Sequence, residues 1–338
     1  MSAIGRMAAI FGCDGFDLSG AERAFFREAD PFGFILFARN IDNPDQVERL
    51  TRSLREAVGR DAPILIDQEG GRVQRLRSPH WREWIPPLDA AETAGADAAR
   101  VLGLRARIMA EELRALGIDA NCAPVADIAG PETHPFLRNR CYGVTPVQVY
   151  ERARAVAEAH LAAGVLPVVK HLPGHGRATA DTHLHLPTVT ASRAELAAHD
   201  FAPFKALADL PLAMTAHIIF AAYDPDRPAT QSPDMIRVIR QEIGFQGLLM
   251  TDDLNMQALS GDLGQRTRAA MAAGCDIALH CKGDMAEMLQ VAAEAGDMRP
   301  DTRARAGAAL ARRRPANSVD IAALAADLAA MGQGALDG

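Results

Sequence analysis

Eight short apolar runs separated by helix-like stretches constrain the fold of this chain more than any other feature. They lie at 7–12, 33–37, 63–66, 119–123, 166–169, 212–215, 247–250 and 276–280. Each is too brief to be a core helix, and most are too uniformly apolar for a half-exposed strand. Strands covered on both faces of a parallel sheet have that character. Helical stretches fall at 45–58, 90–116, 147–163, 194–207, 234–243 and 265–273. The first places Val47, Leu50, Leu54 and Val58 on one face. Asn43-Pro44, Thr145-Pro146 and Ser232-Pro233 each join a capping side chain to a proline suited to a first helical turn.

Eight β/α units predict an α/β fold of the (β/α)8 TIM-barrel type in a single domain. An open doubly wound sheet would place a glycine-rich phosphate loop after the first strand. Here that strand ends in Gly12-Cys-Asp-Gly-Phe-Asp-Leu18, and no Walker A pattern occurs. We expect the catalytic barrel over 1–298 and an Ala/Arg-rich helical tail, 299–338, packed on it.

Several function classes are disfavoured by composition. The chain carries 36 basic and 43 acidic residues, a net charge of −7, which is the wrong sign for a nucleic-acid binder. The basic run from Arg303 to Arg314 reads as a solvated helix face. No apolar run approaches the roughly 18–20 residues of a membrane helix. Gly12, Cys13 and Asp14 interrupt the N-terminal apolar stretch. The expectation is a cytoplasmic, monomeric protein with no membrane or nucleic-acid partner. Five cysteines without a Cys-x-x-Cys pair suggest reduced thiols, not a disulfide framework or zinc site.

In such a barrel the chemistry gathers where strands end. Asp67-Gln-Glu-Gly-Gly-Arg72 and Arg75 follow the third run, and Asp127, Arg138, Arg140 and Tyr142 the fourth. Lys170-His-Leu-Pro-Gly-His-Gly176 and Asp181-Thr-His183 follow the fifth, His217 the sixth and Asp252-Asp253 the seventh. Singly, each has a plain structural explanation: an ion pair for Asp67 and Arg75, a helix cap for the aspartates, a satisfied core histidine at 217. Five clusters meeting at one mouth do not. The histidines between 171 and 185 could suggest a metal, but the adjacent Lys170 opposes a cation. A carboxylate at the end of the seventh strand can act as a glycosidase nucleophile. It needs a proton-transferring partner across the scissile bond. His183, its basicity raised by Asp181, fits that dual role.

Four motifs carry a resemblance: Asp67-Gln-Glu-Gly-Gly-Arg-Val-Gln-Arg75, Lys170-His-Leu-Pro-Gly-His-Gly176, Asp181-Thr-His183 and Thr251-Asp-Asp-Leu-Asn-Met256. Together with Gly33-Phe-Ile-Leu-Phe-Ala-Arg-Asn40, they resemble glycoside hydrolase family 3, and within it the bacterial cytoplasmic β-N-acetylhexosaminidases. The resemblance spans about residues 7 to 290. It implies retaining hydrolysis of terminal N-acetylglucosamine (GlcNAc), released from anhydro-muropeptides in cell-wall recycling. It implies Asp252 as nucleophile and His183, supported by Asp181, as acid/base. Asp67, Arg75, Arg140, Lys170 and His171 would bind the sugar, with Arg138 the alternative to Arg140. No metal or organic cofactor is implied. Family β-glucosidases take a glutamate acid/base from a second domain; the Asp-x-His motif favours the GlcNAc branch instead. Phosphorolysis, a non-catalytic sugar-binding barrel and a metal-dependent hydrolase are the competing readings.

Overall fold

In the computed structural model, residues 4–179, 185–314 and 319–332 are described. Eight strands form one parallel sheet: β1 (Met7–Phe11), β2 (Pro31–Leu36), β3 (Ile64–Ile66), β4 (Ala120–Asn121), β5 (Leu166–Leu172), β6 (Leu212–Thr215), β7 (Leu248–Met250) and β8 (Ala278–His280). Their spatial order is β7-β6-β5-β4-β3-β2-β1-β8. β1 pairs with β8 through Ala9↔Ala278 and its two successors. A parallel bridge from Met250 to Ile277 joins the two ends, so the ring closes into the expected TIM barrel.

The strands lack sequence alternation because both of their faces are covered. In β1, Ala8 and Ile10 point into the barrel with Leu65, Val168 and Leu248. Met7, Ala9 and Phe11 point outward against the helices. Burial at roughly 25 cal/mol per Å2 on both faces makes this double shell the main source of stability. The predicted caps form: Asn43, Thr145 and Ser232 accept hydrogen bonds from the amides of Gln46, Gln148 and Met235.

Several boundaries differ from the sequence expectation. The stretch 90–116 is two helices, Pro87–Ala94 and Ala98–Ala115, broken where Gly95 takes a positive φ of 57°. The stretch 194–207 also splits, into Arg193–Ala198 and Ala202–Ala206, with Pro203 in the first turn of the second. The helix Gly20–Ala29 was not anticipated, although Ser19 and Glu22 form a reciprocal capping box at its start. β5 runs three residues past its predicted end and so carries Lys170 and His171 on the strand itself.

The basic run is not merely a solvated face. The helix Pro300–Leu310 closes the N-terminal end of the barrel, with Ala306 and Ala309 in the interior cluster. Arg305 bonds the fully buried Asp276 at 2.8 Å, together with Arg240 and the Thr302 hydroxyl. Arg313 pairs with Asp119. Two arginines of the run are thus anchors for carboxylates at the starts of strands.

Candidate active site

The third strand leads into a small hairpin, Gln68–Gly70 against Val73–Gln74. Its turn uses Gly70 and Gly71 at φ of 105° and 61°, where a side chain would be strained. The hairpin returns Arg75 to Asp67, with Nη2 3.0 Å from Oδ2. The other Asp67 oxygen accepts from Lys170 Nζ at 2.8 Å. Lys170 also reaches Glu69 at 2.6 Å, and Arg140 grips both Glu69 oxygens at 2.9 and 2.8 Å. The result is an alternating chain, Arg75–Asp67–Lys170–Glu69–Arg140. Burial opposes ionisation of both carboxyls, but the cations outweigh it. Asp67 is held well below the usual carboxylate range by Lys170 and Arg75, and Glu69 is lowered by Arg140 and Lys170. Lys170, 2% exposed, is in turn raised by those carboxylates against its own burial.

Asp127, in the loop that follows β4, has no exposed surface. It accepts from His171 Nδ1 at 2.7 Å and from the His175 amide at 2.6 Å. That places the His171 proton on Nδ1 and leaves Nε2 for a substrate hydroxyl. Replacing Asp127 with Asn would offer His171 a donor where it needs an acceptor. We expect Asp127→Asn to melt near the wild-type temperature and lose about 100-fold in kcat/KM, with a displaced pH profile. Unchanged kinetics would mean that the ring orientation is set elsewhere.

His217 secures the segment after β7. Its Nε2 lies 3.0 Å from the carbonyl of Asp253, so that nitrogen must donate. Nδ1 then accepts from the Thr230 hydroxyl at 2.8 Å. Burial lowers the His217 pKa, opposed by the charge of Asp252. The two aspartates it supports differ in their electrostatics. Asp252 is lowered: burial opposes this, but His217, His171 and the Asp253 amide prevail. Asp253 is pushed up to about 6, first by burial and further by the charge on Asp252. A raised folded-state pKa means that Asp253 favours folding fully only below about pH 4, its unfolded value, and that this contribution is lost as pH rises through about 6. Asp253→Asn is therefore expected to gain stability relative to wild type between pH 4.5 and 7.5. Thermal melts across that range check it; a constant difference refutes it.

Glu69, Asp127 and His217 support, from behind, the walls of one pocket of about 270 Å3. All five residues expected to bind sugar — Asp67, Arg75, Arg140, Lys170 and His171 — lie on it, as do Asp252 and Asp253. Phe37, Phe136 and Met256 supply apolar wall. Arg138 does not line the pocket; its guanidinium bonds the Gly130 carbonyl instead. Asp181 and His183 lie outside the described residues. Among the described residues no group of three or more His, Cys, Asp or Glu is placed to hold a metal ion. The sequence reading gave no role to Glu69, Asp127 or His217. Glu69 had a signal: it stands two residues after Asp67, on the same side of an extended segment.

The sequence profile described as the glycosyl hydrolase family 3 N terminal domain matches residues 19–311. A β-hexosaminidase of Alkalilimnicola ehrlichii is 39% identical over 279 residues, covering 80% of each chain. One of Methylococcus capsulatus is 39% identical over 282 residues, covering 80% of this chain and 82% of its own. Among solved structures, NagZ from Neisseria gonorrhoeae in complex with N-trifluoroacetyl-D-glucosamine superposes with a TM-score of 0.83 at 28% identity, over 98% of this chain and 96% of that one. A family 3 β-N-acetylglucosaminidase from Paenibacillus sp. str. FPU-7 gives the same TM-score at 31% identity; the match covers 93% of this chain and 62% of that longer one. With the barrel, the pocket and a family match across most of its length, this chain belongs to glycoside hydrolase family 3 and is a glycoside hydrolase.

Proposed function

We propose that the enzyme removes non-reducing terminal β-linked GlcNAc with retention, through a covalent glycosyl-enzyme on Asp252. One observation carries this reading above the others. Of the three carboxylates lining the pocket, Asp67 is paired with two cations, and Asp253, pushed up to about 6, is held by the amides of Asn255 and Cys281. Asp252 favours its ionised form and, among the described residues, has no salt bridge; its one hydrogen bond there is from the Asp253 amide at 2.8 Å. An ionised carboxylate without a cation bound to it, at the floor of a sugar-sized pocket, suits attack on an anomeric carbon. His183, supported by Asp181, serves as acid/base in this proposal. Asp67, Arg75, Arg140, Lys170 and His171 hold the sugar hydroxyls. The relatives named for β-hexosaminidase and β-N-acetylglucosaminidase support the choice of sugar. We assign GlcNAc-anhydro-muropeptides as natural substrate, handled in the cytoplasm by a monomer without cofactor.

The test is release of nitrophenol from β-GlcNAc and β-glucose glycosides, side by side in phosphate-free buffer. Fast turnover of the GlcNAc glycoside with little of the glucoside is the expected result. Glucose turnover equal to that of GlcNAc overturns the sugar assignment. Activity that appears only with added phosphate, with a sugar 1-phosphate as product, overturns hydrolysis.

A further inference from the structure

The segment Gly33-Phe-Ile-Leu-Phe-Ala-Arg-Asn40 leaves the barrel in a tight turn whose side chains bind neighbouring strand ends. Asn40 has no exposed surface. Its Nδ2 donates to the carbonyls of Cys13 and Gly15 at 3.0 and 2.9 Å, and its Oδ1 accepts the Phe37 amide at 3.0 Å. Arg39 donates from Nε to the Cys13 carbonyl at 2.9 Å and from Nη2 to that of Cys281 at 2.5 Å. Cys13 follows β1 and Cys281 follows β8, so the turn is fastened where those two strands meet. The fit there is close: a Cβ on Gly12 would lie 2.8 Å from Arg39 Nη2. The turn in turn fixes Phe37, whose ring is part of the pocket wall.

That ring lies against a guanidinium that needs a second support. The alternating chain of the sugar site has two ends. At one, Arg140 is fixed in its plane by two bonds to Glu69. At the other, the Arg75 side chain makes a single bond among the described residues, from Nη2 to Asp67 at 3.0 Å. Its Nε is buried with no hydrogen-bond partner there. One bond sets a distance but lets the guanidinium turn about it. Asp67 has no second bond to give, because its other oxygen accepts from Lys170. The Arg75 Cζ lies 5.0 Å from the centroid of the Phe37 ring, within the range at which an aromatic face attracts a cation. Arg39, held by its two carbonyls, lies 5.2 Å from the same centroid and steadies the ring.

With Arg75 taken as a sugar ligand, we propose that Phe37 is its positioning residue. The ring holds the guanidinium in one plane, and with it the donors that Arg75 presents to the sugar. Arg39 and Asn40 act one step further back, by fixing the ring to the ends of β1 and β8.

Phe37→Leu would remove the aromatic face but could also disturb the packing. Progressively fluorinated phenylalanines at position 37 keep the shape of the ring and weaken only its attraction for a cation. On the nitrophenyl β-GlcNAc glycoside, kcat/KM is expected to fall stepwise along this series, by about 10-fold at its end and mainly through KM. A flat series overturns the proposal. The same series in an Arg75→Met background is expected to be flat, since the two changes then act on one interaction. A stepwise fall there would mean that the ring meets the sugar itself, and also overturns the positioning role. Should Arg75→Met fail to fold, Arg75→Gln takes its place. Wild-type kinetics in the Arg75 variant is a different failure: it removes Arg75 from the sugar site, and Phe37 then has nothing to position.

Discussion

An Asp252→Ala enzyme is expected to fold and to lose turnover by at least about 10,000-fold. Among the described residues the side chain accepts only a local hydrogen bond from the next amide, so its removal leaves none of their buried cations without a partner. The loss should therefore fall on chemistry and not on stability, with Tm within a few degrees of wild type. Azide supplied to this variant should restore part of the rate on a nitrophenyl glycoside and give the α-glycosyl azide, since the external anion attacks where Asp252 did. Near-wild-type activity would remove Asp252 from the mechanism. Asp253→Asn is the control: it keeps an acceptor for the Asn255 and Cys281 amides and is expected to retain much more activity.

Lys170→Met is expected to damage fold and function together. Among the described residues Lys170 is the one group that forms ion pairs with both Asp67 and Glu69. Removing a partner from a buried ion network costs about 3–5 kcal/mol, because the carboxylates left behind repel each other in a poorly solvated place. Both carboxyls in the wild type have lowered pKa values, so their stabilisation is present above about pH 4 and fades as pH falls through their folded values. In Lys170→Met that acid sensitivity should shrink, since the carboxyls then protonate at higher pH. Urea unfolding at pH 7 and at pH 3 measures both effects. Activity should fall by about 100-fold or more, through misplacement of Asp67 and Arg75. A variant that unfolds at the wild-type urea midpoint would show that the network contributes little to the fold.

The barrel was legible because a strand buried on both faces needs an apolar run, and eight such runs cannot be hidden among helices. Boundaries were less legible where one residue overrides a pattern. Gly95 breaks a helix that its apolar spacing would continue, and Lys170 and His171 extend a strand that their polarity seems to end. The basic tail was misjudged for a related reason: the partners of Arg305 and Arg313, Asp276 and Asp119, are remote in sequence. In the site, residues that reach the pocket stood out as charges at strand ends. Those that hold them in place did not. Asp127 and His217 act through hydrogen bonds whose other ends lie 44 and 36 residues away. No short motif encodes such a pairing.

The seam of the barrel also bears on how the protein is made. β1 finds its second neighbour only in β8, Ala9 against Ala278, and β7 meets that neighbourhood by a single bridge at Ile277. During synthesis the outer edge of β1 therefore stays without its strand partner until the ribosome has delivered nearly the whole barrel, and the helix that closes the base, Pro300–Leu310, emerges later still. For that interval the nascent chain presents an apolar strand edge to its surroundings, a template for wrong pairing. Chaperone dependence and losses in overproduction are expected to be set by this waiting time, governed by the last strand and base helix rather than by the residues that meet the sugar.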